Sequence, residues 1–150
     1  MSFEEKLTWV NLFVTLGVAT TYFVVVLTPL GEVPAAEIAY QRPMLIAVGA
    51  SIVLTIIGAI LTAIATAVSG ELSGRDATQD IERKDERDVD INRRGDLFGY
   101  YVASVGVLGV MALTMLESDY FWIANALYLS FAAAALVSGV VKLVLYHRGY

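Results

Sequence analysis

The chain has 150 residues, of which 57% are hydrophobic and 17% charged; its net charge is −5 and it has no cysteine. Soluble domains carry about 25% charged residues, and a mean hydropathy of +0.67 favours a single compact membrane unit. These values exclude disulfides, thiolate nucleophiles, zinc–thiolate sites and iron–sulfur clusters. The basic residues form no unopposed patch, so no nucleic-acid partner is implied, and the lone His147 cannot make a His-rich metal site.

The first apolar run, residues 7–28, follows Lys6 and carries no charge. It exceeds the 7–15 apolar residues of a signal peptide, and Glu4 and Glu5 make its leading segment acidic rather than basic. Val33-Pro34-Ala35 is a poor cleavage site, so the run is read as a retained helix. The stretch Thr28 to Pro43 contains Pro29, Gly31, Pro34 and Pro43 and is expected to be an irregular external loop.

Residues 44–69 form a second uncharged run, residues 97–116 a third and residues 120–146 a fourth, interrupted only by Lys142 near its end. A membrane helix needs about 20 mainly apolar residues, and one charge at its centre would cost about 2.5–3.5 kcal/mol. None of the runs has one there. Globular core helices show a polar stripe at 3.6 spacing, which these lack, so a soluble core is rejected. The link between the third and fourth runs is little more than Glu117-Ser118-Asp119, which forces an antiparallel hairpin. Ser118 or Asp119 is expected to cap the fourth helix.

The predicted fold is thus an all-α membrane protein, one integral membrane domain with four transmembrane helices in an antiparallel bundle. A charged cytoplasmic helix or loop, residues 70–96, joins the second to the third. Four spans put both termini and this segment on one side. That side holds Lys6, Arg75, Arg83, Lys84, Arg87, Arg93, Arg94, Lys142 and Arg148, and the other only Arg42. The basic bias predicts a multi-pass protein of the cell membrane with cytoplasmic termini. Trp9, Tyr146 and Tyr150 fit an inner aromatic belt, and Tyr120, Phe121 and Trp122 an outer one.

From Asp80 to Arg94 no proline intervenes. Asp80 with Lys84, Lys84 with Asp88, and Asp90 with Arg94 stand at i,i+4, each pair worth about 0.3–0.5 kcal/mol. A solvated, self-paired helix leading into the third span, bent at Gly95, is the expectation. Carboxylates at Asp85, Glu86, Asp88 and Asp90 suggest a hard cation, but the EF-hand glycine and closing glutamate are absent. Interleaved arginines and lysines give each acid a partner and argue against a catalytic pair. The remaining functional reading is a partner-docking surface: Lys84, Asp85, Glu86, Arg87, Asp88, Ile91 and Arg93.

Within the spans, Ala126, Ser130, Ala134 and Ser138 recur every four residues, a small-residue stripe suited to close helix packing. Gly95, Gly99 and Ala103 repeat the spacing in the third span, and Ala59, Ala63 and Ala67 in the second. Packing inside the bundle is favoured over a homo-oligomer seam. Asn11 and Asn125 are the most polar intramembrane residues, and each lies about a turn inside an interface, within reach of water or a neighbouring helix.

The run Lys84-Asp85-Glu86-Arg87-Asp88 with Ile91, Arg93, Gly95 and Asp96 resembles a family of small bacterial integral membrane proteins of unknown function. So do Asp119 to Asn125 with Tyr128-Leu129, the opening Ser2 to Lys6 with Trp9, and the ending Tyr146 to Tyr150. The resemblance spans nearly the whole chain. It implies the same four-span topology and a sensory or accessory role beside small helix-turn-helix regulators. Where the family pattern has a histidine after Asp119 this chain has Tyr120, which argues against an outer-face metal site.

No nucleophile–base set, phosphate cradle or metal-ligand spacing is present, so neither an enzyme nor a cofactor is expected. Apart from the lipid bilayer, the expected partner is a cytoplasmic protein. The expected function is a non-enzymatic accessory, sensory or regulatory membrane component. The alternative is a small oligomeric transporter or channel, which would show a cavity converging on Asn11, Asn125, Ser104 or Thr55.

Overall fold

A computed structural model describes residues 2–72 and 86–148. They form four long helices and two short 3-10 turns, with no strand among the described residues. Helix α1 is Phe3–Leu27, α2 Gln41–Leu72, α3 Glu86–Met115 and α4 Tyr120–His147. Each is long and apolar enough to cross a membrane.

Local signals explain where the helices begin and end. Ser2 caps α1, its Oγ accepting from the Glu5 amide at 3.2 Å, and Glu4 and Glu5 occupy the first turn, where the helix dipole favours acids. Pro43 falls in the first turn of α2, where its missing N–H costs no hydrogen bond. The α1–α2 connection is more ordered than its prolines and glycine suggested. It holds 3-10 turns at Thr28–Gly31 and Ala35–Glu37, and Ile38 is buried.

The α3–α4 turn closes α3 in a Schellman arrangement. The Ser118 amide donates to the Leu113 carbonyl and the Glu117 amide to that of Thr114, both at 3.1 Å. Glu117 takes the left-handed position with φ 53°, a conformation glycine adopts with least strain. Asp119 stands at the N-cap of α4 as expected, but its side chain makes no capping hydrogen bond. Its carbonyl accepts from Trp122 instead, at 2.9 Å.

The main helix contacts are α1 with α2, α1 with α4, and α3 with α4. The spatial order is therefore α2–α1–α4–α3, two hairpins joined through α1 and α4. The ring of a closed bundle stays open between α2 and α3. This openness leaves Leu45, Ile46, Ile52, Ile60, Leu61 and Val105 exposed; in lipid such side chains need no protein cover.

The tightest apolar packing lies at the end away from the charged loop. Tyr22, Val26, Ile38, Ala47 and Phe121 form one buried cluster. Tyr22 meets Tyr128 edge-on with centroids 4.6 Å apart, and Tyr40 meets Phe121 at 5.6 Å. Phe121 is thus a core residue rather than a belt residue. Its helical neighbours Tyr120 and Trp122 point away and stay exposed, because one turn places 121 with 125 on the face toward α1. Of the three residues expected in an outer aromatic belt, only Tyr120 and Trp122 are exposed.

Candidate functional site

At the charged-loop end the start of α1, the start of α3 and the end of α4 meet in a band of polar contacts. Its first part joins the start of α1 to α2 and α3, and the start of α3 to the end of α4. Ser2 Oγ donates to Asp88 Oδ1 at 3.4 Å, Asn92 Nδ2 to Glu4 Oε2 at 3.3 Å, and Lys6 Nζ to Thr66 Oγ1 on α2 at 3.2 Å. Arg87 Nη2 donates to the Tyr146 carbonyl at 3.3 Å. The Tyr146 hydroxyl is buried beside Asp88 and Ser2 without making a hydrogen bond of regular geometry to either.

The second part joins α3 to α4. Lys142 Nζ pairs with Asp96 Oδ1 at 2.7 Å, and Ser138 Oγ donates to the same oxygen at 3.1 Å. The two charges are unequally covered: the Lys142 side chain is 17% exposed and that of Asp96 is 68%. Gly95 allows this arrangement. A Cβ there would run into Lys142 Cγ and lie 2.8 Å from Cε and 3.0 Å from the Ser138 carbonyl oxygen. The lysine stem therefore passes directly over the glycine, carrying its ammonium to the neighbouring Asp96. Gly95 serves close approach, and α3 runs uninterrupted through it.

The predicted docking residues separate into three groups. Lys84 and Asp85, with the expected pairs Asp80–Lys84 and Lys84–Asp88, lie outside the described residues. Asp88 is 6% exposed and Ile91 2%, so both are packed inside the helix assembly. Glu86, Arg87 and Arg93 are exposed. The expectation of a solvated helix is thus corrected for one face: a helix leaning on α1 and α4 buries every third or fourth residue, here Asp88, Ile91 and Gly95. The Asp90–Arg94 pair forms as expected, at 2.8 Å.

The small-residue stripe of α4 faces α3. A Cβ on Gly99 would lie 3.0 Å from the Ala134 carbonyl oxygen and 3.1 Å from Ser138 Cβ, and one on Gly106 would overlap the Ser130 side chain. Ala126 is half-buried on the same stripe and accepts from Ser130 Oγ at 2.7 Å. On α3 the repeat Gly95, Gly99, Ala103 is completed by Gly106, two turns beyond Gly99, which sequence reading passed over. The α1 contacts use the same device: Gly139 meets Leu12 and Gly58 meets Val10.

A groove of about 470 Å³ opens beside the ion pair, floored by α4 and walled by α1 and α3. Asp96, Lys142, Asn11 and Tyr100 lie along it, with Gly99, Ala103, Ala135 and Gly139. The polar residues singled out for transport do not converge on it. Asn125 is 5% exposed, with Tyr22 Oη donating to its Oδ1 at 2.8 Å and its Nδ2 donating to the Phe121 carbonyl at 2.8 Å. Since Tyr22 is eleven residues from Asn11 on α1, the two amides are about 16 Å apart along the axis. Ser104 donates to its own helix at Tyr100, and Thr55 is half-buried on α2.

The Asp96–Lys142 pair was also missed by sequence reading. The only signal was hairpin arithmetic: both residues stand about six to seven turns from the α3–α4 turn, which places them at one level in an antiparallel pair. Among the described residues no three His, Asp or Glu side chains gather as a metal site would require. No family model, no curated protein and no solved structure matches the chain.

Proposed function

We propose that the chain is a multi-pass protein of the cell membrane with its termini and charged loop in the cytoplasm, acting as a non-enzymatic accessory or regulatory component. Its role is to hold the exposed face of α3 at the charged-loop end toward a protein partner. The observation that carries this reading is the one-sided burial of that end. Asp88, Ile91 and Gly95 lock the helix against α1 and α4, while Glu86, Arg87, Val89 and Arg93 stay exposed at a fixed orientation.

Length supports it as well. The 30 residues of α3 extend about 45 Å, some 15 Å more than a hydrocarbon core of about 30 Å. The excess carries charge at one end only, so it projects into water on the loop side. A rigid projecting helix spares a partner the ordering entropy that a free loop would cost.

A photo-crosslinking residue placed at position 93 in native membranes tests the proposal. A discrete protein adduct, reduced when Arg87 is changed to Glu, is expected. An adduct pattern indifferent to Arg87→Glu, or crosslinks to lipid alone, refutes docking at this face.

A further inference from the structure

The groove beside Asp96 and Lys142 has a graded lining. From the charged-loop end toward the middle of the helices, α3 presents Asp96, then Gly99 and Tyr100, then Ala103; α1 presents Asn11 before Thr15. Along α3, charge gives way to a phenol and then to a small apolar side chain within about two turns, or about 10 Å. A phospholipid lying with its head toward the loop side has the same order: charged head, ester oxygens, acyl chain. Small residues leave room for the chain without a protruding side chain.

The charge at the head of the groove selects among lipids. The Lys142 side chain is mostly covered and its ammonium paired, whereas the Asp96 side chain is mostly exposed. Both bonds to this carboxylate go to Oδ1, and Oδ2 accepts none among the described residues. The groove therefore offers an available anionic acceptor at its outermost level. In an ethanolamine phospholipid the ammonium is the outermost group and the phosphate lies just below it, level with the amide and phenol residues Asn11 and Tyr100, both of which donate hydrogen bonds.

We propose that this groove binds a phospholipid with an ethanolamine headgroup, its ammonium on Asp96 and the start of one acyl chain beyond Tyr100, against Ala135 and Ala103. The inference rests on the helices spanning a bilayer and is independent of partner docking.

The test uses the full chain reconstituted in vesicles with equal amounts of phosphatidylethanolamine and phosphatidylglycerol, extracted in mild detergent, with the retained lipid identified by native mass spectrometry. Wild type is expected to retain the ethanolamine lipid about fivefold over the glycerol lipid, the ratio one exposed ion pair supports. Asp96→Asn should bring the ratio to parity. Ala135→Leu fills the groove and leaves the ion pair untouched; it should lose retained lipid of both kinds, and it decides the matter if Asp96→Asn does not fold. Parity or a glycerol-lipid preference in wild type, an unchanged ratio in Asp96→Asn, or full retention in Ala135→Leu overturns the proposal.

Discussion

Replacing Gly106 with alanine isolates the term that holds α3 to α4. The new methyl would overlap Ser130 Oγ and Cβ and lie 3.2 Å from Ser130 Cα. A Cβ cannot swing aside as a side-chain tip can, so the helices must separate. Overpacking of this kind costs about 1–3 kcal/mol, while alanine for glycine in a helix returns about 1 kcal/mol of propensity. Gly109, one turn along the same helix, has nothing within 4 Å of its would-be Cβ, so Gly109→Ala keeps the propensity gain without the clash. The difference between the two variants is then the packing term alone, about 1–3 kcal/mol. Unfolding free energies from detergent–SDS titration would measure it. Adding Ser130→Gly to Gly106→Ala removes the obstructing atoms, so the pair should be coupled and the double variant better than the sum of its singles. Equal stabilities for Gly106→Ala and Gly109→Ala would refute the close approach of α3 and α4.

Three other outcomes follow from the geometry. Tyr22→Phe leaves the Asn125 Oδ1 buried without its donor and should cost about 1–3 kcal/mol, read in the same titration; an unchanged midpoint would mean that this oxygen finds another partner. Glu117→Gly relieves the left-handed strain at φ 53° and should stabilise the chain by about 1 kcal/mol, whereas Glu117→Val should lower the midpoint. Because the chain has no cysteine, Arg93→Cys and Glu117→Cys give single labelling sites. A membrane-impermeant maleimide added to intact cells should label the second and spare the first, and labelling of both overturns the topology.

The helices were legible because each is continuous and apolar, and a bilayer permits few other solutions for such runs. The stripe Ser130, Ala134, Ser138 was legible too, since small residues at four-residue spacing can serve only one face of a helix. Which face met which neighbour was not. Phe121 looks like its exposed neighbours Tyr120 and Trp122 in the sequence, and only the position of Tyr40 and Tyr22 in space separates it from them. The burial of Asp88 likewise depends on Ser2 and Tyr146, distant in the chain and brought beside it by the crossing of three helix ends. Pattern reading finds faces within an element; pairing between elements enters through contacts that no local window contains.

The order α2–α1–α4–α3 also changes what the charged stretch means. The end of α2 and the start of α3 lie on opposite flanks of the assembly, while the other consecutive helices are neighbours. Neighbours can be joined by a turn as short as Glu117 to Asp119, but the flanks need a longer connection, and one passing through water must be polar. The length and charge of the connecting residues 73–85 are therefore what this topology asks for and are not evidence of function. That requirement does not extend to the packing from Glu86 onward. A linker has no need to fix Asp88 and Ile91 against two other helices, nor to set Asp96 on Lys142 across a glycine. The proposed docking surface is accordingly confined to the exposed residues Glu86, Arg87, Val89 and Arg93. Of this segment only Asp96, exposed and paired with Lys142, lines the groove, so the proposed headgroup site and the proposed docking face use different residues of one helix end.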